Sequence, residues 1–319
     1  MFQSPVLPPS LGQDSKKAKD MTTPTISWDA AEAGSDVQGH LAQLWIYPVK
    51  SCAGVQLKSV RLDVTGLAHD REWMVVDLQG VFLTQRSHPR MALIQPELLE
   101  DGAVLALQAP GQERLLVQPP ADAAQRLVEV WDDQVAGHDQ GDAVAQWLSG
   151  FLGTACRLVR FDRSQERACS RKWTGDVAAS TFFADGYPLL ITTEAAGSEL
   201  AERVQAAGGP PVSLLRFRAN LVLGGLEAHE EDHLAQLHIR TAGAVVTLRP
   251  VKPCTRCPIP DIDPATAESS SDVSNALAAY RADARMDGAI TFGMNAIVLQ
   301  GAGAVLEVGQ PLAAELAFD

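Results

Sequence analysis

From residue 41 to about residue 160 the chain is divided into short apolar runs, each bounded by Gly, Pro, Asp or Asn. Runs at 41–47, 57–64, 73–77, 103–107, 114–117 and 127–130 have the spacing of a meandering, mainly antiparallel sheet. Residues 142–152 switch period. Ala143, Val144, Trp147, Leu148, Phe151 and Leu152 share one helical face, and Gly153 is the stop. The second half repeats the strand theme at 189–191, 220–223, 237–241, 245–249, 295–299 and 305–308, with helices expected at 194–205 and around 272–285. A mainly β fold with a few helices follows, made of two adjoining barrel-like or meandering domains. Residues 1–39 lack apolar periodicity and read as a poorly ordered leader. The charged stretch 162–176, with Arg163, Arg167, Arg171 and Lys172, is the expected link, so the domains are placed at 40–165 and 166–319. Its basic residues could equally form a solvated face.

Composition narrows the partners. The formal charge is −13, which repels nucleic acid and anionic membrane, so any bound anion needs a local cluster of cations. Five scattered cysteines in 319 residues are too few for a disulfide framework and suggest reduced thiols in a cytosol. Without a basic-then-apolar leader or a run near eighteen apolar residues, a cytoplasmic protein with no membrane partner is expected.

Two stretches could carry chemistry. Cys254-Thr255-Arg256-Cys257 follows a strand expected to end at Arg249-Pro250, and Pro253 and Pro258 bracket it as a rigid loop. It could be half a zinc site, a redox dithiol, or a soft-metal ligand with Arg256 lowering the thiol pKa. Zinc lacks a second nearby Cys/His pair, and Pro258 and Pro260 block the helix start that a redox dithiol needs. Plain packing of the cysteines would leave Thr255 and Arg256 unexplained. His229-Glu230-Glu231-Asp232-His233 matches the zinc-protease pattern, with His229 and His233 as ligands and Glu230 as base. That pattern needs a long helix. Gly224-Gly225 before it and a strand after it favour an acidic connection with solvated side chains.

Taken together, Tyr47-Pro48-Val49-Lys50-Ser51-Cys52, Asp70-Arg71, Phe217-Arg218-Ala219-Asn220, and Cys254-Thr255-Arg256-Cys257 with Asp261-Ile262-Asp263-Pro264 behind it resemble the MOSC proteins. This is the molybdenum-cofactor sulfurase C-terminal domain family with its N-terminal β-barrel companion. The order is kept from residue 41 to the C-terminus. The resemblance implies a cysteine-ligated molybdenum cofactor, with Cys257 in the ligand position and Cys254 beside it. It also implies reduction of N-hydroxylated or N-oxide small molecules, as in the amidoxime-reducing branch, and, for the family at large, pyridoxal phosphate binding. Lys50, Ser51, Arg71, Arg218, Asn220, Thr255 and Arg256 would hold the cofactor's phosphate and pterin, with Asn295 as a further contact. Thr192 and Thr193, opening the helix at 194, offer an N-cap and a possible phosphate seat. Without an iron–sulfur, haem or nicotinamide motif, electrons are expected from a separate flavoprotein, ferredoxin-type or cytochrome-type donor. The sulfurase branch leaves a second expectation, a persulfide or cofactor carrier. Pro258-Ile259-Pro260 replace the β-branched run of many relatives, which bears on substrate preference.

Overall fold

The computed structural model describes residues 26–318. Seven strands form its centre: β1 (Val37–Ile46), β2 (Leu189–Thr193), β3 (Leu221–Gly224), β4 (Leu234–Arg240), β5 (Val245–Thr255), β6 (Ala289–Gln300) and β7 (Pro311–Leu316). They pair in the order β2-β3-β1-β7-β4-β5-β6, and Leu190 opposite Asn295 returns β6 to β2, closing a barrel. Closure removes the free edges of the seven-stranded ring. All its pairings are antiparallel except β2 with β3. Leu41, Leu44, Ile191, Leu223, Leu237, Ile239, Leu248 and Leu312 belong to one core, each at most 2% exposed. Burying each such side chain contributes about 1.5–3 kcal/mol before ordering costs.

The expected leader is shorter than 1–39. Its first 25 residues lie outside those described, but Trp28–Ala33 is a helix capped by the Ser27 hydroxyl, and β1 begins at Val37. Order here comes from long-range pairing that apolar periodicity cannot reveal, with Val37 opposite Ala314 and Asp36 accepting from the Leu316 amide at 2.8 Å. The early chain is thus built into the sheet of the second half. Val55–Leu57 pairs antiparallel with the end of β1, and Ser59–Asp63 pairs with Val305–Glu307.

The remainder of the first half forms two smaller sheets. One runs Trp73–Asp77, Cys156–Phe161, Asp133–Asp139, Gln125–Val130, and the other Gln95–Leu99, Val104–Gln108, Leu115–Val117. The helix Asp142–Leu152 packs Val144, Leu148 and Phe151 against Trp73, Val75 and Leu105, and Gly153 ends it at φ 71°. The stretch 162–176 is tied down rather than solvated throughout. Arg163 pairs with the buried Glu72, and Arg167, 5% exposed, donates to the Phe182, Ala184 and Asp185 carbonyls.

Two sequence boundaries move for physical reasons. β5 continues past Arg249 to Thr255 because register shifts after Pro250 and Pro253 place the prolines at bulges, where a missing N–H breaks no ladder bond. The last helix stops at Ala278. There Ala282–Asp283 pairs with β6, and Arg281 and Thr291 exchange hydrogen bonds.

Candidate functional site

One end of the barrel collects the sequence motifs. Leu44 pairs with Leu221, and the Trp45 amide donates to the Asn220 carbonyl at 2.9 Å, so the segment leaving β1 lies beside the segment entering β3. Lys252 pairs with Asn295, which faces Leu190 on β2. The ends of β1, β2, β3, β5 and β6 therefore surround a single cleft. Lys50, Ser51, Arg71, Arg218, Asn220, Cys254, Thr255, Arg256, Cys257 and Asn295 all line it.

The cleft is rich in cations whose positions are fixed by the backbone. Arg71 and Arg218 stack on the same Tyr47 ring, at 4.3 and 4.2 Å from its centroid. Arg71 donates to Asp70 at 2.6 Å, to Asn220 Oδ1 at 3.1 Å and to the Arg218 carbonyl at 2.9 Å, and Arg218 donates to the Cys52 carbonyl at 2.6 Å. Burial, reinforced by Arg71, lowers the Arg218 pKa to about 10. Burial likewise lowers the Lys50 pKa, against the pull of its partner Asp185. Arg256 donates to Cys254 Sγ at 2.9 Å and to the Phe217 carbonyl at 3.2 Å.

Ser51, Arg71 and Arg218 hold φ of 65°, 48° and 60°. Non-glycine residues adopt this left-handed region at a cost of about 1–3 kcal/mol each, and such strain concentrates where function requires it. Arg218 Nη2 and Arg256 Nε are buried without a partner among the described residues. An unsatisfied buried donor costs about 1–3 kcal/mol, so both are poised for an acceptor that the chain does not supply.

Other expected contacts are used internally. The Asn220 amide accepts from the Leu190 amide and from Arg71 and donates to the Trp45 carbonyl, which makes it a brace joining three strands. Asn295 donates to the Lys252 carbonyl at 3.2 Å. Thr192 and Thr193 lie outside the cleft: both hydroxyls donate to the buried Glu231 carboxylate, at 3.1 and 3.0 Å. Thr193 does cap its helix, accepting from the Ala196 amide. With a carboxylate against these hydroxyls, the helix start is no phosphate seat.

The protease pattern is likewise overturned. Glu230–His233 is a four-residue 3-10 helix. His229 is held between Tyr280 and Phe292 by edge contacts, while His233 packs against Phe318. Burial lowers the His229 pKa to about 4. No group of three or more His, Cys, Asp or Glu among the described residues is arranged to hold a metal. Two of its three acidic residues are not solvated either. Glu231 is fully buried, and Asp232, 8% exposed, pairs with Arg281.

Thr84, Arg86, Trp131, Asp185 and Tyr187 also line the cleft and were missed in sequence. Each stands alone, outside a recognisable pattern. Only the Gly, Pro and Asp turns around them hinted at loops that could converge.

Comparison with known proteins agrees with this geometry. Residues 38–155 match the MOSC N-terminal beta barrel domain and residues 179–313 the MOSC domain. Mitochondrial amidoxime reducing component 1 of Homo sapiens is 34% identical over 245 residues, covering 73% of this chain and 68% of the relative. The Mus musculus protein of the same name is 32% identical over 241 residues, covering 72% and 68%. Molybdenum cofactor sulfurase of Homo sapiens is 30% identical over 278 residues, 82% of this chain but 31% of that protein. Among the described residues no helix is long and apolar enough to cross a membrane. With both family domains matched in order, and with their motif residues gathered around one cleft, the chain belongs to the MOSC family.

Proposed function

We propose that this chain is a molybdenum-cofactor oxidoreductase that reduces N-hydroxylated or N-oxide compounds, with Cys257 as the thiolate ligand of the metal. The observation that carries the reading is the unmet donor capacity of the cleft: Arg218 Nη2 and Arg256 Nε are buried beside Lys50 and Arg71 without a partner among the described residues. A phosphate-bearing pterin fits that donor set. It would bring oxyanion and ring acceptors to groups already desolvated and held in place.

In this reading Lys50, Arg71, Arg218 and Arg256 hold the phosphate and pterin, and the Ser51 and Thr255 hydroxyls add hydrogen bonds. Asn220 and Asn295 brace the strands that carry them. Cys257 is exposed just beyond β5, with Arg256 anchored behind it by its amide on the Ile290 carbonyl. Bound there, the cofactor supplies a soft metal able to carry out two-electron reduction. Cys254, held by Arg256, is the neighbour and not the ligand. Pyridoxal phosphate fits less well, since the ammonium of the cleft lysine is engaged by the Phe183 carbonyl and Asp185. Electrons come from a separate donor protein, and five free thiols suit a reducing compartment such as the cytoplasm.

Turnover of amidoximes, hydroxylamines and N-oxides by molybdenum-loaded protein with a strong artificial reductant tests the reading. Reduction of at least one class is expected; stoichiometric metal with no turnover of any would overturn it. The sulfurase similarity and the exposure of Cys257 favour one second reading, a persulfide or cofactor carrier. Cyanide-releasable sulfur without molybdenum would support that alternative.

A further inference from the structure

At the mouth of the cleft, a side-chain assembly stands apart from the cations assigned to the cofactor. Trp131, 44% exposed, sits at φ 56° in the turn between Gln125–Val130 and Asp133–Asp139. Its indole N–H donates to Asp185 Oδ1 at 3.1 Å, the oxygen that also pairs with Lys50. Phe82 packs against the ring at 5.3 Å, and the Arg86 guanidinium lies 4.4 Å from the ring centroid. The indole is thereby fixed by a hydrogen bond and an aromatic contact, and it in turn holds Arg86.

Arg86 is exposed, and its one polar contact among the described residues is a long Nε donation to Thr84 Oγ1 at 3.4 Å. Its two terminal nitrogens have no protein acceptor there. The four cations deeper in the cleft differ, for each already donates to a carbonyl, carboxylate or thiol of the chain. A stacked guanidinium has lost much of its rotamer freedom, so less entropy remains to be lost when its fork closes on a planar carboxylate. In a chain of net charge −13, an anionic small molecule is repelled unless a local cation meets it at the entrance.

The geometry points to Arg86, held over the Trp131 ring, as the residue that positions a carboxylate carried by the substrate. This rests on the N-reductase reading, since it names a feature of that reaction's substrate. Neutral N-oxygenated compounds would enter without that anchor. Carboxylated ones would be held at the lip with their N–O group directed inward.

The test compares benzamidoxime with its 4-carboxylate in the holoenzyme. Wild type is expected to favour the carboxylate in kcat/KM, and Arg86→Gln to lower the carboxylate-to-neutral ratio about tenfold, mainly through KM of the carboxylated substrate. Arg86→Lys should restore part of the ratio, since the charge returns without the fork. An unchanged ratio in Arg86→Gln overturns the assignment. Calorimetric binding of 4-amidinobenzoate against benzamidine needs no turnover and separates the two claims. A carboxylate preference that Arg86→Gln abolishes supports the lip even if neither amidoxime is reduced; equal affinity of the two amidines for wild type refutes it.

Discussion

Two polar clusters in this molecule are built from similar residue types and reach opposite ends. In the cleft, Lys50, Arg71, Arg218 and Arg256 meet Asp185 and Asp70, and buried guanidinium donors remain unmatched among the described residues. Outside the cleft, Thr192, Thr193, Glu231, Asp232 and Arg281 make up the second cluster, and the Glu231 carboxylate takes both threonine hydroxyls. The first cluster is short of acceptors and strained in its backbone. The second has a carboxylate against every group that an incoming anion would need. A surplus of positioned donors, rather than a literal motif, separates a site from a structural network.

The largest expected effect breaks the first cluster. Arg71→Gln and Arg218→Gln should each weaken cofactor retention about ten- to a hundredfold, because each removes a charge-assisted contact. Cofactor content after gel filtration, measured by released pterin fluorescence, checks this. Equal retention in both variants and wild type would place the cofactor elsewhere.

Next comes Glu231, whose pKa burial, aided by Asp232, raises from its ordinary value of 4.5 to about 7. The folded state holds this proton more tightly than the unfolded chain. The associated stability is therefore full below about pH 4.5, falls as pH rises toward 7, and is absent above it. Glu231→Gln should stabilise the protein by roughly 3 kcal/mol at pH 8, with the gain vanishing near pH 4. Denaturant melts at the two pH values test this, and cofactor content should not follow the change. A gain of equal size at both pH values would refute the titration.

Thr193→Ala removes a helix cap and one carboxylate contact, and a loss of about 1 kcal/mol is expected. The smallest effect is for the exposed His233: replacement by Ala should leave metal content unchanged by elemental analysis, whereas the protease reading requires a loss.

The same contrast explains what was legible in the sequence. Trp73–Asp77 and Asp142–Leu152 were readable to the residue because their apolar periods and stops are local. The last strand, Pro311–Leu316, was not: its Pro, Ala and Glu have low strand preference, and pairing with both β1 and β4 overrides it. Most cleft residues were legible because charge and sulfur chemistry recurs in ordered motifs. Trp131, Arg86 and Asp185 were not, since three distant loops bring them together. For Thr192 and Thr193 the cap was readable locally, but the carboxylate that occupies their hydroxyls comes from 39 and 38 residues away.

The central claim is that Cys257, at the edge of the cation cluster, holds the metal while Cys254 does not. Elemental analysis of protein expressed in a cofactor-competent host tests it most directly. Stoichiometric molybdenum is expected in wild type and in Cys254→Ser, with loss in Cys257→Ser. Full molybdenum in Cys257→Ser, or its loss only in Cys254→Ser, would contradict the account.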